Sequence, residues 1–209
     1  QKVGIKNIYT AKLEKDDLSE DAAAFRIGQS LSGSPNIRIA KPSAGRLNLY
    51  ALETGVLKLK KTHIDLVNAI DPSITIASLS NFSTVLSGQL IATVKIIPYG
   101  VKENLVKKVC RCVSINTFEL CTPTVKFAAL IMTSNSILKE SVLKKSIKSV
   151  SDRLLTFGVK VSDVLFVKHQ VADVSDAFLK VKSKLVLFLP GYATSDINDV
   201  GPEALRCSE

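Results

Sequence analysis

The sequence predicts an α/β protein, a three-layer sheet of mainly parallel strands preceded by a smaller β-rich α+β domain. Three observations predict it. Residues 127–205 carry a strand, helix, strand, helix, strand rhythm. Within them, residues 184–189 form an almost unbroken apolar run, as a parallel strand buried on both faces would. Residues 36–101 hold short strands bounded by turns instead. A boundary near Pro123 divides the chain into residues 1–123 and 124–209, each long enough for a core of its own.

In chain order, residues 3–11 alternate enough to read as a strand, and the missing initial Met leads us to expect residues upstream. Asp16, Asp17, Glu20 and Asp21 place carboxylates at the start of a helix running to about Leu31, with Leu18, Ala22, Phe25 and Ile27 on its apolar side. Ser32, Gly33, Ser34 and Pro35 stop it. Strands are expected at 37–39, 45–50, 56–59, 74–77 and 89–97, the last rich in β-branched residues and ended by Pro98. A helix over 63–69 interrupts them, with His63 as a surface or capping residue. Residues 103–113 read as a helix and 118–123 as the connection into the second domain.

That domain opens with a buried strand over 126–133. In the helix that follows, Leu138, Val142, Leu143, Ile147, Val150, Leu154 and Leu155 form an apolar stripe and Gly158 caps the end. A strand within 159–167, a helix over 172–181 and the strand 185–189 complete the pattern. Right-handed crossovers place the loops after Thr133, Val167 and Leu189 on one edge. Ligands of open α/β sheets sit on that edge.

Hydrophobic residues at 46% with 22% charged exclude a disordered chain. No apolar run nears the roughly 20 residues of a membrane-spanning helix, and no signal-peptide pattern opens the chain, so the cytoplasm is the expected compartment. Lys and Arg outnumber Asp and Glu by 28 to 19, a net charge of +9 that favours anionic partners. Lys139, Lys144, Lys145 and Lys148 read as a solvated helix face. Aromatic residues at 6% argue against stacking platforms for single-stranded nucleic acid. Cys110, Cys112, Cys121 and Cys207 match neither zinc nor disulfide spacing and read as reduced thiols. Cys110 and Cys112 are expected on opposite sides of a helix, one buried and one exposed.

The most specific pattern follows the last strand. Pro190 and Gly191 break it, and Asp199, Val200, Gly201, Pro202, Glu203 and Ala204 lead into a helix. Over 127–205 the chain resembles the molybdopterin-binding domain shared by molybdopterin adenylyltransferases and molybdenum insertases. Gly191 matches the first glycine of that family's Gly-Gly-Thr-Gly-like loop, and Asp199 to Ala204 match its Asp-Val-Thr-Pro-Glu-Ala segment. Upstream, Gly45-Arg46-Leu47-Asn48-Leu49, Asn68-Ala69-Ile70-Asp71-Pro72 and residues 88–98 resemble the region preceding this domain in a bacterial subgroup of insertase-related proteins. The family's domain continues past the point where this chain ends. The resemblance implies molybdopterin as ligand, Mg²⁺ beside it, a functional carboxylate at Asp199, and a homo-oligomer, dimer or trimer.

The three loops offer Thr133, Ser134, Asn135, His169, Gly191, Thr194, Ser195 and Asp196 as ligand contacts. Glycine lets backbone N–H groups approach a phosphate, and the next helix N-terminus adds positive potential. Asp199 reads equally as an N-cap. The chain departs from the family at Tyr192, Ala193 and Thr194, which replace loop residues that include two glycines, and at Lys168-His169-Gln170, which replaces a Pro-Asp pair. His169 is a substitute acceptor, a metal ligand or a loop histidine.

Two functions compete. In one, the protein is an enzyme of molybdenum-cofactor assembly, an adenylyltransferase or insertase, with Asp199 positioning Mg²⁺, nucleotide or molybdate. In the other, it is a non-catalytic pterin- or nucleotide-binding protein. Asp196 and Asp199 are the evident loop carboxylates, fewer than phosphoryl-transfer or metal chemistry ordinarily uses. Nucleic-acid binding through the basic surface is a third reading, which steep salt dependence would reveal.

Overall fold

Antiparallel pairing, most of it between strands distant in sequence, sets the architecture of the first part of the chain. In the computed structural model, residues 10–134 and 139–208 are described, and the chain divides into two compact units, Gln1–Thr122 and Pro123–Glu209. The first comprises β1 (Asp17–Ser19), α1 (Glu20–Leu31), β2 (Ile37–Ile39), β3 (Arg46–Ala51), β4 (Gly55–Leu59), α2 (Lys61–Ile70), β5 (Ile74–Ser78), β6 (Thr84–Val85), β7 (Leu90–Ile96), β8 (Gly100–Lys102), α3 (Glu103–Arg111) and β9 (Phe118–Cys121). The strands form sheets ordered β2-β3-β7-β5, β6-β4-β9 and β1-β8, with antiparallel pairing throughout. Most of the strand expected at 3–11 lies outside the described residues, and Thr10 and Ala11 are in no strand. The expected connection at 118–123 starts as strand β9.

Helix α1 starts where Ser19 Oγ accepts the Ala22 N–H, with Glu20 and Asp21 in its first turn. Its buried stripe runs through Ala23, Ala24, Ile27 and Leu31, at the spacing of one helix face, so Phe25 is exposed rather than in the core as expected. Gly28 lies against Leu47 of β3, with no room for a side chain. Between β2 and β3, Ser43 and Arg46 exchange backbone hydrogen bonds at 2.9 and 3.1 Å. Ala44 (φ 49°) and Gly45 (φ 68°) between them are both left-handed, as a type I′ hairpin turn requires. Asn68 accepts the Ile76 N–H at 2.8 Å and donates to its carbonyl at 3.0 Å, fastening α2 to β5. His63 is half-buried, its Nδ1 2.8 Å from Thr117 Oγ1. All four cysteines are free, and Cys110 and Cys112 are both half-buried rather than divided between core and solvent.

The second unit holds β10 (Phe127–Thr133), α4 (Glu140–Thr156), β11 (Lys160–Val167), α5 (Val171–Lys180), β12 (Leu185–Leu189) and α6 (Val200–Cys207). Its strands are parallel in the order β11-β10-β12, with Phe127 opposite Lys160 and Ala128 opposite Leu185. Central β10 is buried from Ala128 to Thr133. At the end of α4, Gly158 is left-handed (φ 71°) and donates to the Leu155 carbonyl while Val159 donates to that of Leu154.

The expected three-layer sheet of mainly parallel strands is not what the chain forms. Among the described residues three of the four sheets are antiparallel, and the parallel sheet has only three strands. Parallel pairing needs a crossover long enough to hold a helix, such as those carrying α4 and α5, whereas in the first unit every pairing is antiparallel, both across the β2-β3 turn and between strands distant in sequence such as β3-β7 and β4-β9. Nor are the layers of the second unit well covered. Helix α4 has no buried side chain among its described residues, and Val142 and Leu155 of its expected apolar stripe are 48% and 58% exposed. Strand β12, expected to be buried on both faces, is an edge strand and only half-buried. An apolar run reports composition; position in the sheet is set by pairing.

Candidate ligand site at the carboxyl edge of the parallel sheet

Parallel pairing brings the ends of β10, β11 and β12 together. Thr133, the last residue of β10, is buried, and its Oγ1 lies 2.8 Å from His169 Nδ1 in the loop after β11. The same Oγ1 accepts the N–H of Gly191, from the loop after β12, at 3.3 Å. The hydroxyl thus meets a loop histidine and a loop amide at once, with its role toward Nδ1 set by the imidazole tautomer. Gly191 passes so close to β10 that a Cβ would run into the Thr133 carbonyl, so glycine here serves the approach of two backbones. Ser134 is buried, and its N–H donates to the Val167 carbonyl at 3.3 Å. The Tyr192 ring lies 5.0 Å from His169, tilted by 44°, and is half exposed.

Helix α6 fixes the rest of the loop. Gly201 is buried beneath Phe188 of β12, whose ring a Cβ would approach to 2.7 Å. Asp199 occupies the N-cap position, yet its carboxylate makes no capping bond. Its Oδ2 turns back and accepts the Ser195 N–H at 2.7 Å and the Asp196 N–H at 2.8 Å. The Asp196 amide, the Ser195 amide and, more weakly, the nearby His169 hold the Asp199 carboxyl below its ordinary range. Asp196 accepts the Asn198 N–H at 2.7 Å, and Arg206 Nη2 donates to the Ile197 carbonyl at 2.8 Å while pairing with Glu203.

The edge thus gathers Thr133, Ser134, His169, Gly191 and Asp199, whereas Thr194, Ser195 and Asp196 sit on the exposed outer loop. Asn135 lies outside the described residues. The Asp199 carboxylate fills the Ser195 and Asp196 amides of this loop, so a phosphate binding to them would have to displace it. Tyr192 and Gly201 contribute in ways the sequence reading missed. For Tyr192 the available signal was a bulky aromatic where the resembled loop has glycine.

No family model matches the sequence, and no curated protein does. In structure the chain is similar to the molybdopterin biosynthesis MoeA protein of Pyrococcus horikosii, with 11% identity and a TM-score of 0.24, over 83% of this chain and 64% of that one. It therefore spans less than two thirds of that protein's length, and a likeness of this degree carries no argument about fold or function.

Proposed function

We propose that the chain binds an anionic, phosphorylated pterin of the molybdopterin type at the carboxyl edge of its parallel sheet, and that it serves molybdenum-cofactor biosynthesis as a binding protein. The observation that carries this reading is the joining of three strand ends through one hydroxyl, Thr133, which fixes His169 and the Gly191-Tyr192 turn side by side. The half-exposed Tyr192 ring offers a flat apolar face to a heterocycle, and Lys168 beside His169 offers charge to a phosphate. Support for the non-catalytic version comes from Asp199, whose carboxylate is engaged by the chain's own amides.

Anaerobic equilibrium dialysis with purified molybdopterin tests this. Tyr192→Ala and His169→Ala should each lower affinity at least tenfold, and Mg²⁺ should leave it unchanged. Undetectable binding, or equal affinity in both variants and the parent, would remove the site. Affinity that depends on Mg²⁺ and on Asp199 would restore the enzymatic reading.

A further inference from the structure

We infer that the opposite, amino-terminal edge of the parallel sheet holds a second ligand site, one that takes a phosphorylated aromatic small molecule of the nucleotide class. A cleft of about 530 Å³ opens there, within the size range of small-molecule sites. Lys126, Lys182 and Lys184 line it, and among the described residues none of the three is in an ion pair. The strand register sets Lys160 opposite Phe127 at the same edge, and Lys180 ends the helix leading to it. Asp163 is the carboxylate beside this group, and it accepts the Ser162 hydroxyl at 2.7 Å.

Five lysines beside one carboxylate leave net positive charge, which favours an anion. The chemistry of the lining narrows the class. Ser183 adds a hydroxyl 3.2 Å from that of Ser162, whose own proton goes to Asp163, so the ammonium groups carry the phosphate contact. Phe127 lines the same cleft and is 57% exposed, although it belongs to the central strand. An aromatic face beside three cations suits a ligand that joins a planar base to phosphate. One aromatic in an open cleft matches one base; a nucleic-acid strand is held by a succession of stacking platforms. This edge is separate from the Thr133, His169 and Asp199 edge, since the two lie at opposite ends of the same parallel strands.

Calorimetric titration of the 209-residue chain with ADP, and separately with inorganic pyrophosphate, tests the assignment. Replacing Lys182 and Lys184 together by Gln should weaken both probes at least tenfold. Phe127→Leu should weaken ADP at least fivefold and leave pyrophosphate unchanged. Tyr192→Ala at the carboxyl edge should alter neither, and circular dichroism should show every variant folded. Absence of ADP binding to the parent chain overturns the proposal. So does ADP affinity indifferent to the lysine pair, or tight binding of a mixed RNA oligomer without binding of ADP.

Discussion

Asp199 acts on the loop before it, because its carboxylate accepts two amide protons from residues that precede it. Those bonds favour the ionised form, so the folded carboxyl has a lower pKa than the unfolded one. The sign follows. The unfolded chain takes up the proton first, so the stabilisation is present in full above the ordinary carboxylate pKa and is lost as pH falls through the lowered folded value. In an NMR titration the Ser195 and Asp196 amide shifts should therefore move together, with a midpoint below the ordinary 3.8. A midpoint at or above that value would show that the carboxylate does not hold the loop. A second residue-scale prediction concerns Ala44, which is left-handed beside Gly45. Asn tolerates that backbone better than Ala, so Ala44→Asn should stabilise the protein by about 0.5–1 kcal/mol in thermal or urea unfolding. Destabilisation would mean that the turn is not of this type.

Among the elements, burial separates two leucines that the sequence treats alike. Leu130 of β10 is fully buried, whereas Leu143 of α4, like Ile147, is only half-buried. Leu130→Ala should cost about 2–5 kcal/mol, and Leu143→Ala or Ile147→Ala about 1 kcal/mol, in urea denaturation. Equal losses would place α4 deeper than it lies here. Most helices and strands in the described residues were legible, because the apolar spacing and the Gly and Pro stops act within a few residues of chain. Neighbours in a sheet are a different matter. Nothing in the apolar run 185–189 tells an edge strand from a central one, and so β12 was over-read. The site shows the same limit. Thr133, His169, Gly191 and Asp199 could each be picked out, but the hydroxyl joining Thr133 to a histidine 36 residues away depends on parallel pairing.

Across the whole molecule, the net charge of +9 pointed to anionic partners without saying where they bind. The helix-face lysines expected to be solvated are so, and Lys144 and Lys148 are paired with Glu140 and Asp152 on their own helix. Lys182 and Lys184, between a helix and a strand, became visible as a group only when pairing set them beside Lys126. In the first unit most strands were legible one by one, but their pairing into three antiparallel sheets was not, since most partners are far apart in sequence. The central claim is that pterin binding belongs to the carboxyl edge. Hydrogen exchange of the whole chain with and without purified molybdopterin tests it most directly. Added molybdopterin should slow exchange at residues 190–199, at Ser134 and at His169, and leave residues 124–127 and 182–184 unchanged. Protection confined to the amino-terminal edge, or none at either edge, would contradict the claim.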